Sequence, residues 1–124
     1  MESQEKIETI TINNVEYIRK DQQNVMAEKL DGMEFCIVRT YSAGVFAGYV
    51  KERNGKEVTL VNSIRLWQWF GASLSQLSQE GTPDKSKCKF AMTEKIKYIT
   101  EAIEITPCSE LARKNIQAVK QWKI

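Results

Sequence analysis

The sequence predicts an α+β domain: a strongly bent antiparallel sheet or small barrel, with one short helix, a C-terminal helix and an N-terminal β-hairpin. Three observations predict it. Two turn signals, Asn13-Asn14 and Asn54-Gly55, each lie between strand-like runs, and two-residue turns join antiparallel strands. Glycines break into apolar strand runs at Gly44 and Gly48, as bends and bulges do. A serine-capped segment and a late amphipathic stripe supply the two helices.

Taken in order, residues 1–19 hold the first hairpin, with Ile10 and Ile12 before the turn and Val15 and Tyr17 after it. An isolated hairpin is marginal in water, so it is expected to dock on the main domain or to pair with a second copy. Residues 20–32 are polar, end in Asp31-Gly32 and read as a linker with room for one helical turn. The main domain is expected over residues 33–124. Its first strand, EFCIVRTY, is apolar on both faces, which suits a central position. VFAGYVKER and KEVTLVNS then flank Asn54-Gly55 as a second hairpin.

In IRLWQWF, simple alternation puts Arg65, Trp67 and Trp69 on one face. Ser73 with Gln76 three positions later has capping-box spacing, and Gly81 supplies a stop, so ASLSQLSQEG reads as a helix of about two turns. KCKF and KIKYITEAIEIT read as strands, with Ile99, Ile103 and Ile105 sharing a face. Pro107-Cys108-Ser109 opens the last helix, whose stripe is Ala112, Ile116 and Val119; Trp122 follows as a packing anchor.

Composition narrows the function. The 124 residues, 42% hydrophobic and 27% charged, suit one globular domain. No apolar run approaches the roughly 20 residues of a membrane helix. The polar start MESQEKIE does not read as a signal peptide, so the expected compartment is the cytoplasm and no membrane partner is expected. A net charge of +2 disfavours a protein that lives on long nucleic acid, but leaves room for a local basic pocket. There is no histidine, which removes Ser-His-Asp and Cys-His catalysis and most catalytic zinc sites. The three cysteines lack metal-ligand spacing. No enzyme, metal or cofactor is therefore expected.

Two stretches can bind a ligand. Arg65, Trp67 and Trp69, with the helix start at Ser73, offer a guanidinium for phosphate, indoles for stacking and backbone N–H groups for an anion. The same tryptophans can equally pack the core, with Arg65 snorkelling or paired to an acid. Arg39, Tyr41, Ser42 and Gly44 offer a strand-end arginine, hydroxyls and a glycine turn that can form a phosphate nest, or a plain bulge with Arg39 in an ion pair. The case strengthens if Arg39 and Arg65 converge. Lys85, Lys87 and Lys89 can rim an anionic pocket, although a solvated loop accounts for them as well. Capping accounts for Ser73, and a serine nucleophile here would need lysine as its base. Glu101 and Glu104 fall on opposite strand faces and make no carboxylate pair.

The runs EFCIVRTYSAGVFAGYV, RNGKEVTL, RLWQWFGASLSQL, CKF and TEAIEITPCSE together resemble small proteins of tailed-phage and prophage genomes, a family known only as a domain of unknown function. ITINNVEYIRKD is similar to a hairpin tag at the start of small phage proteins. The resemblance implies a phage origin and action in the cytoplasm of an infected bacterium, and it carries no catalytic residues. With that resemblance, the expected function is a phage counter-defence protein that sequesters a small anionic nucleotide signal without chemistry. A symmetric homo-oligomer, paired through the N-terminal hairpin, can place such pockets between subunits. The alternatives are an inhibitor that binds a host defence protein through an exposed Trp/Tyr/Arg patch, and a nucleic-acid-binding or virion accessory protein.

Overall fold

The computed structural model describes residues 25–123, together with the strand backbone of residues 9–12 and 15–18. Strands β1 (Thr9–Ile12) and β2 (Val15–Ile18) pair antiparallel, with Ile12 opposite Val15 and Ile10 opposite Tyr17. The expected Asn13-Asn14 turn and the first part of the linker lie outside the described residues.

The main sheet has six strands: β3 (Glu34–Thr40), β4 (Val45–Asn54), β5 (Glu57–Gln68), β6 (Lys89–Phe90), β7 (Glu94–Ile99) and β8 (Ala102–Pro107). Its order is β6-β5-β4-β3-β8, and β7 pairs with the first half of β5 on the edge that β6 takes further along. Every pairing between these strands is antiparallel. Only Thr100 and Glu101 separate β7 from β8, yet the two strands belong to opposite edges. So short a link forces the sheet to curl until its edges approach, and it stays open rather than closing into a barrel.

Bulges supply the curl. Tyr49 faces Val61 but Ala47 faces Ile64, so β5 carries one extra residue at Asn62, whose φ is +51°. Val50 faces Leu60 but Glu52 faces Thr59, which puts an extra residue into β4 at Lys51. Gly48 lies opposite the first of these bulges, where a Cβ would come within 3.0 Å of the Ser63 Cα; only glycine admits that approach unshifted.

The Asn62 bulge also switches faces. Val58 and Leu60 join Val38, Phe46 and Ile99 in one core cluster. Ile64 and Leu66, still even-numbered, join Phe35, Ile37 and Phe90 in the other. The second cluster is covered by α1 (Leu74–Glu80) and α2 (Glu110–Gln117), through Leu77, Ala112 and Ile116. Both helices start as expected. Ser73 and Gln76 form a complete capping box, and the Ser109 hydroxyl accepts from the Ala112 N–H. Of the three isoleucines expected on one face, Ile99 is buried and Ile105 packs against its cluster, but Ile103 is exposed because the β3–β8 register slips beside it.

In place of a helical turn, residues 25–30 run extended against the start of α2. The Ala27 N–H donates to the Cys108 carbonyl at 3.0 Å, and the Glu110 N–H donates to the Val25 carbonyl at 2.7 Å. Among the described residues no helix is long and apolar enough to cross a membrane.

Candidate functional site

Two stretches far apart in sequence meet beside β6. The first runs from Thr82 to Lys89. Asp84 caps a single 3-10 turn at Lys85–Lys87: its carboxylate accepts from the Ser86 hydroxyl at 2.6 Å and from the Ser86 N–H at 3.1 Å. Those bonds, the hydroxyl foremost and with the Lys87 charge adding to them, hold the Asp84 carboxyl below its ordinary range. The Asn115 amide of α2 fixes the start of this stretch, accepting from the Thr82 N–H at 2.8 Å and donating to the Thr82 carbonyl at 3.0 Å.

The second stretch is the C-terminal tail. Past α2, Val119 is buried, Gln121 bridges in parallel to Phe90, and the Trp122 N–H donates to the Phe90 carbonyl at 2.8 Å. The tail thus runs along the outer edge of β6 and sets Lys120, Trp122 and Lys123 opposite the Lys85–Lys89 stretch.

Between them lie two adjoining hollows. One, of about 600 Å³, is lined by Lys85, Lys120, Lys123 and Trp122 among others. The other, of about 410 Å³, is lined by Lys87, Lys89, Phe70, Trp69 and the same Trp122. Ser86 and Cys88 also border both. Among the described residues, five lysines line the pair and no carboxylate side chain does. The lysines are placed against aromatic rings: Lys87 Nζ lies 4.4 Å from the Phe70 ring centre, and Lys89 Nζ lies 5.4 Å from that of Trp122. Trp67 meets Trp122 edge-on at 6.4 Å. An ammonium beside a partly exposed ring is a fitting receptor for a planar group that carries a phosphate: the base stacks and the cation takes the charge.

The residues expected from sequence divide between this cleft and other places. Trp69 lines the second hollow and donates its indole N–H to the Ala72 carbonyl at 3.0 Å. Trp67 is 62% exposed and touches Trp122. The two tryptophans do not share a face as simple alternation expects. Leu66 faces Phe90 while Gln68 faces Lys89, so Trp67 is an extra residue in β5, and Trp69 beyond it packs against the helix-covered core.

Arg65 lies on the other side of the sheet, its guanidinium 4.8 Å from the centre of the buried Phe46 ring. Arg39 alternates with Phe35 and Ile37 on the helix-covered side and pairs with Glu104 at 3.0 Å. The two arginines therefore do not converge. Around Arg39, the Ser42 hydroxyl donates to the Glu101 carboxylate at 3.2 Å, Tyr41 is 77% exposed, and Gly44, at φ +104°, accepts from the Thr40 hydroxyl. Carboxylates already engage the donors at this tip. At the start of α1 the Ser73 hydroxyl is likewise taken, by the Gln76 N–H at 3.2 Å.

Lys120, Trp122, Lys123 and Phe70 were not among the residues singled out as ligands. The tail KQWKI does repeat the lysine–aromatic interleaving of the cleft, but only the Phe90–Trp122 hydrogen bond shows where it goes.

The sequence model of one family, described as Domain of unknown function (DUF6948), matches residues 33–116, from the start of β3 into α2. No curated protein and no solved structure matches the chain. With well over half its length inside that match, the chain belongs to the DUF6948 family of domains of unknown function, the kind of family its sequence motifs resemble.

Proposed function

We propose that this protein binds a small nucleotide-like anion in the lysine-lined cleft around Trp122 and holds it without chemistry. One observation carries the reading: among the described residues, five lysines and three aromatic side chains, and no carboxylate side chain, line the adjoining hollows. A base stacked on an indole or phenyl ring contributes about 1–3 kcal/mol, and ammonium groups at the rim add phosphate attraction. Holding such a ligand requires burial and charge only, which suits a chain without histidine. Combined with the resemblance to phage proteins, this reading makes the chain a counter-defence protein, acting in the host cytoplasm to sequester a nucleotide immune signal.

Thermal unfolding against cyclic dinucleotides, cyclic trinucleotides and NAD-derived signals tests it. A ligand at about a hundred times its dissociation constant adds roughly 2.7 kcal/mol, which raises the melting temperature by several degrees. The expected result is a rise with one compound that is lost in the Lys85→Ala/Lys120→Ala double variant and kept in Arg39→Ala, whose ion pair is remote from the cleft. A panel with no rise for any compound would reject the reading for those signals.

A further inference from the structure

We infer that the cleft takes a ligand of two successive nucleotide units, one in each hollow, with Trp122 as the wall between them. The inference rests on the nucleotide reading above and goes further by naming the ligand's size and polarity. Its ground is the way the side chains divide. Lys85, Lys120 and Lys123 belong to one hollow, Lys87 and Lys89 to the other, and Trp122, Ser86 and Cys88 to both. Each hollow therefore has its own cations, and neither is a small annex of the other, at about 600 and 410 Å³.

The first hollow has Trp122 as its aromatic wall, and the second has Trp69 and Phe70 besides. Phe70 lies only in the second hollow, with Lys87 4.4 Å from its ring centre. Trp122 borders both, with Lys89 5.4 Å from its ring centre and Trp67 against its edge. An ammonium that already holds one ring face leaves the other face for a base, and it stands where the phosphate attached to that base would fall. Phe70 in the second hollow and the Trp122 face towards the first give two stacking surfaces, with Lys87 and Lys89 beside them for a linking phosphate and Lys85, Lys120 and Lys123 for the charge in the first hollow. A mononucleotide covers one ring and leaves the other solvated.

Calorimetric titration of the full chain with three adenine probes tests this: AMP, the linear 5′-phosphorylated diadenylate and a ten-residue oligodeoxyadenylate. The diadenylate is expected to bind at least about tenfold more tightly than AMP, because its second unit binds from an already anchored position. Lys85→Ala/Lys120→Ala and Lys87→Ala/Lys89→Ala, with melting curves confirming that both variants fold, should each bring the diadenylate down towards the AMP affinity. If AMP and diadenylate bind within about threefold of each other, the two-unit inference is overturned while the nucleotide reading stands. If no probe binds, both fall. A decamer that binds more than about tenfold more tightly than the diadenylate, beyond what its repeated registers supply, with affinity falling steeply as salt rises, overturns the two-unit size and assigns the cleft to single-stranded nucleic acid; a decamer within that factor supports the two-unit site.

Discussion

Replacing Asn115 by alanine tests how the cleft is held in shape. The Asn115 amide is the clip between α2 and the lysine-bearing stretch, with bonds of 2.8 and 3.0 Å to the N–H and carbonyl of Thr82. Thr82 is only 4% exposed, and its hydroxyl in turn donates to the Phe70 carbonyl at 2.7 Å. Asn115→Ala leaves one buried donor and one buried acceptor without partners, at about 1–3 kcal/mol each. Asn115 is itself half-buried, and the shortened side chain lets water reach Thr82, which pulls the total to the lower end, about 2–3 kcal/mol. Urea denaturation should show a lower midpoint with an unchanged slope, since the surface exposed on unfolding is the same. Asn115→Asp keeps the acceptor for the Thr82 N–H but turns a second oxygen on the Thr82 carbonyl, and should also destabilise. A loss below about 0.5 kcal/mol in the alanine variant would show that Thr82 does not depend on the clip. Because the stretch that begins at Thr82 carries Lys85 and Lys87, the same variant should also weaken ligand binding.

Gly81 sits at φ +81°, and a Cβ there would overlap the Asn115 side chain. Gly81→Ala should therefore cost at least about 1–3 kcal/mol in urea melts from backbone strain alone. Combined with Asn115→Ala, which removes the overlapping Cγ and Oδ1 but keeps the overlapping Cβ, it should be less than additive. Phe46 is buried in the cluster on the opposite side of the sheet, with Arg65 over its ring. Phe46→Ala should cost about 3–5 kcal/mol and can be read in the same melts. Hydrogen bonds from Arg113 foremost, aided by the Glu28 N–H and the neighbouring cations, hold the Glu110 carboxyl below its ordinary value of 4.5. A lowered folded-state value means that this stabilisation is complete above pH 4.5 and is lost as pH falls through the lowered value. Melting temperature should drop on acidification through that window, and by less in Glu110→Gln.

Much of the fold is legible because it is written in local chemistry. Asn54-Gly55 joins β4 to β5, Ser73 and Gln76 open α1, and Ser109 opens α2 over the stripe of Ala112 and Ile116. What alternation could not show was where it breaks. The extra residues at Asn62 and Trp67 carry no glycine or proline to mark them, yet each moves the following side chains to the other face. That is why Arg65 and Trp69, expected together, lie on opposite sides of the sheet. Convergence of Arg39 with Arg65 likewise depended on faces that only the strand register decides. The cleft is half legible: Lys85, Lys87 and Lys89 can rim a pocket for an anion or lie in a solvated loop, and Trp67 and Trp69 can stack or pack the core. The missing half, Lys120, Trp122 and Lys123, is brought in by a tail that pairs with a two-residue strand, a contact no periodicity encodes.

The most direct test of the cleft uses the three tryptophans as reporters. Indole N–H resonances, assigned by single Trp→Phe substitutions, should be followed in two-dimensional NMR while the 5′-phosphorylated diadenylate is added. Trp122, which borders both hollows, should shift most. Trp69, which lines the second hollow, should follow, and Trp67, which lines neither hollow and meets only the edge of Trp122, should shift least. Saturable shifts in that order would place the ligand in the lysine-lined cleft. Saturable binding that leaves all three indoles unmoved, and shifts instead the backbone of residues 39–44, would contradict it.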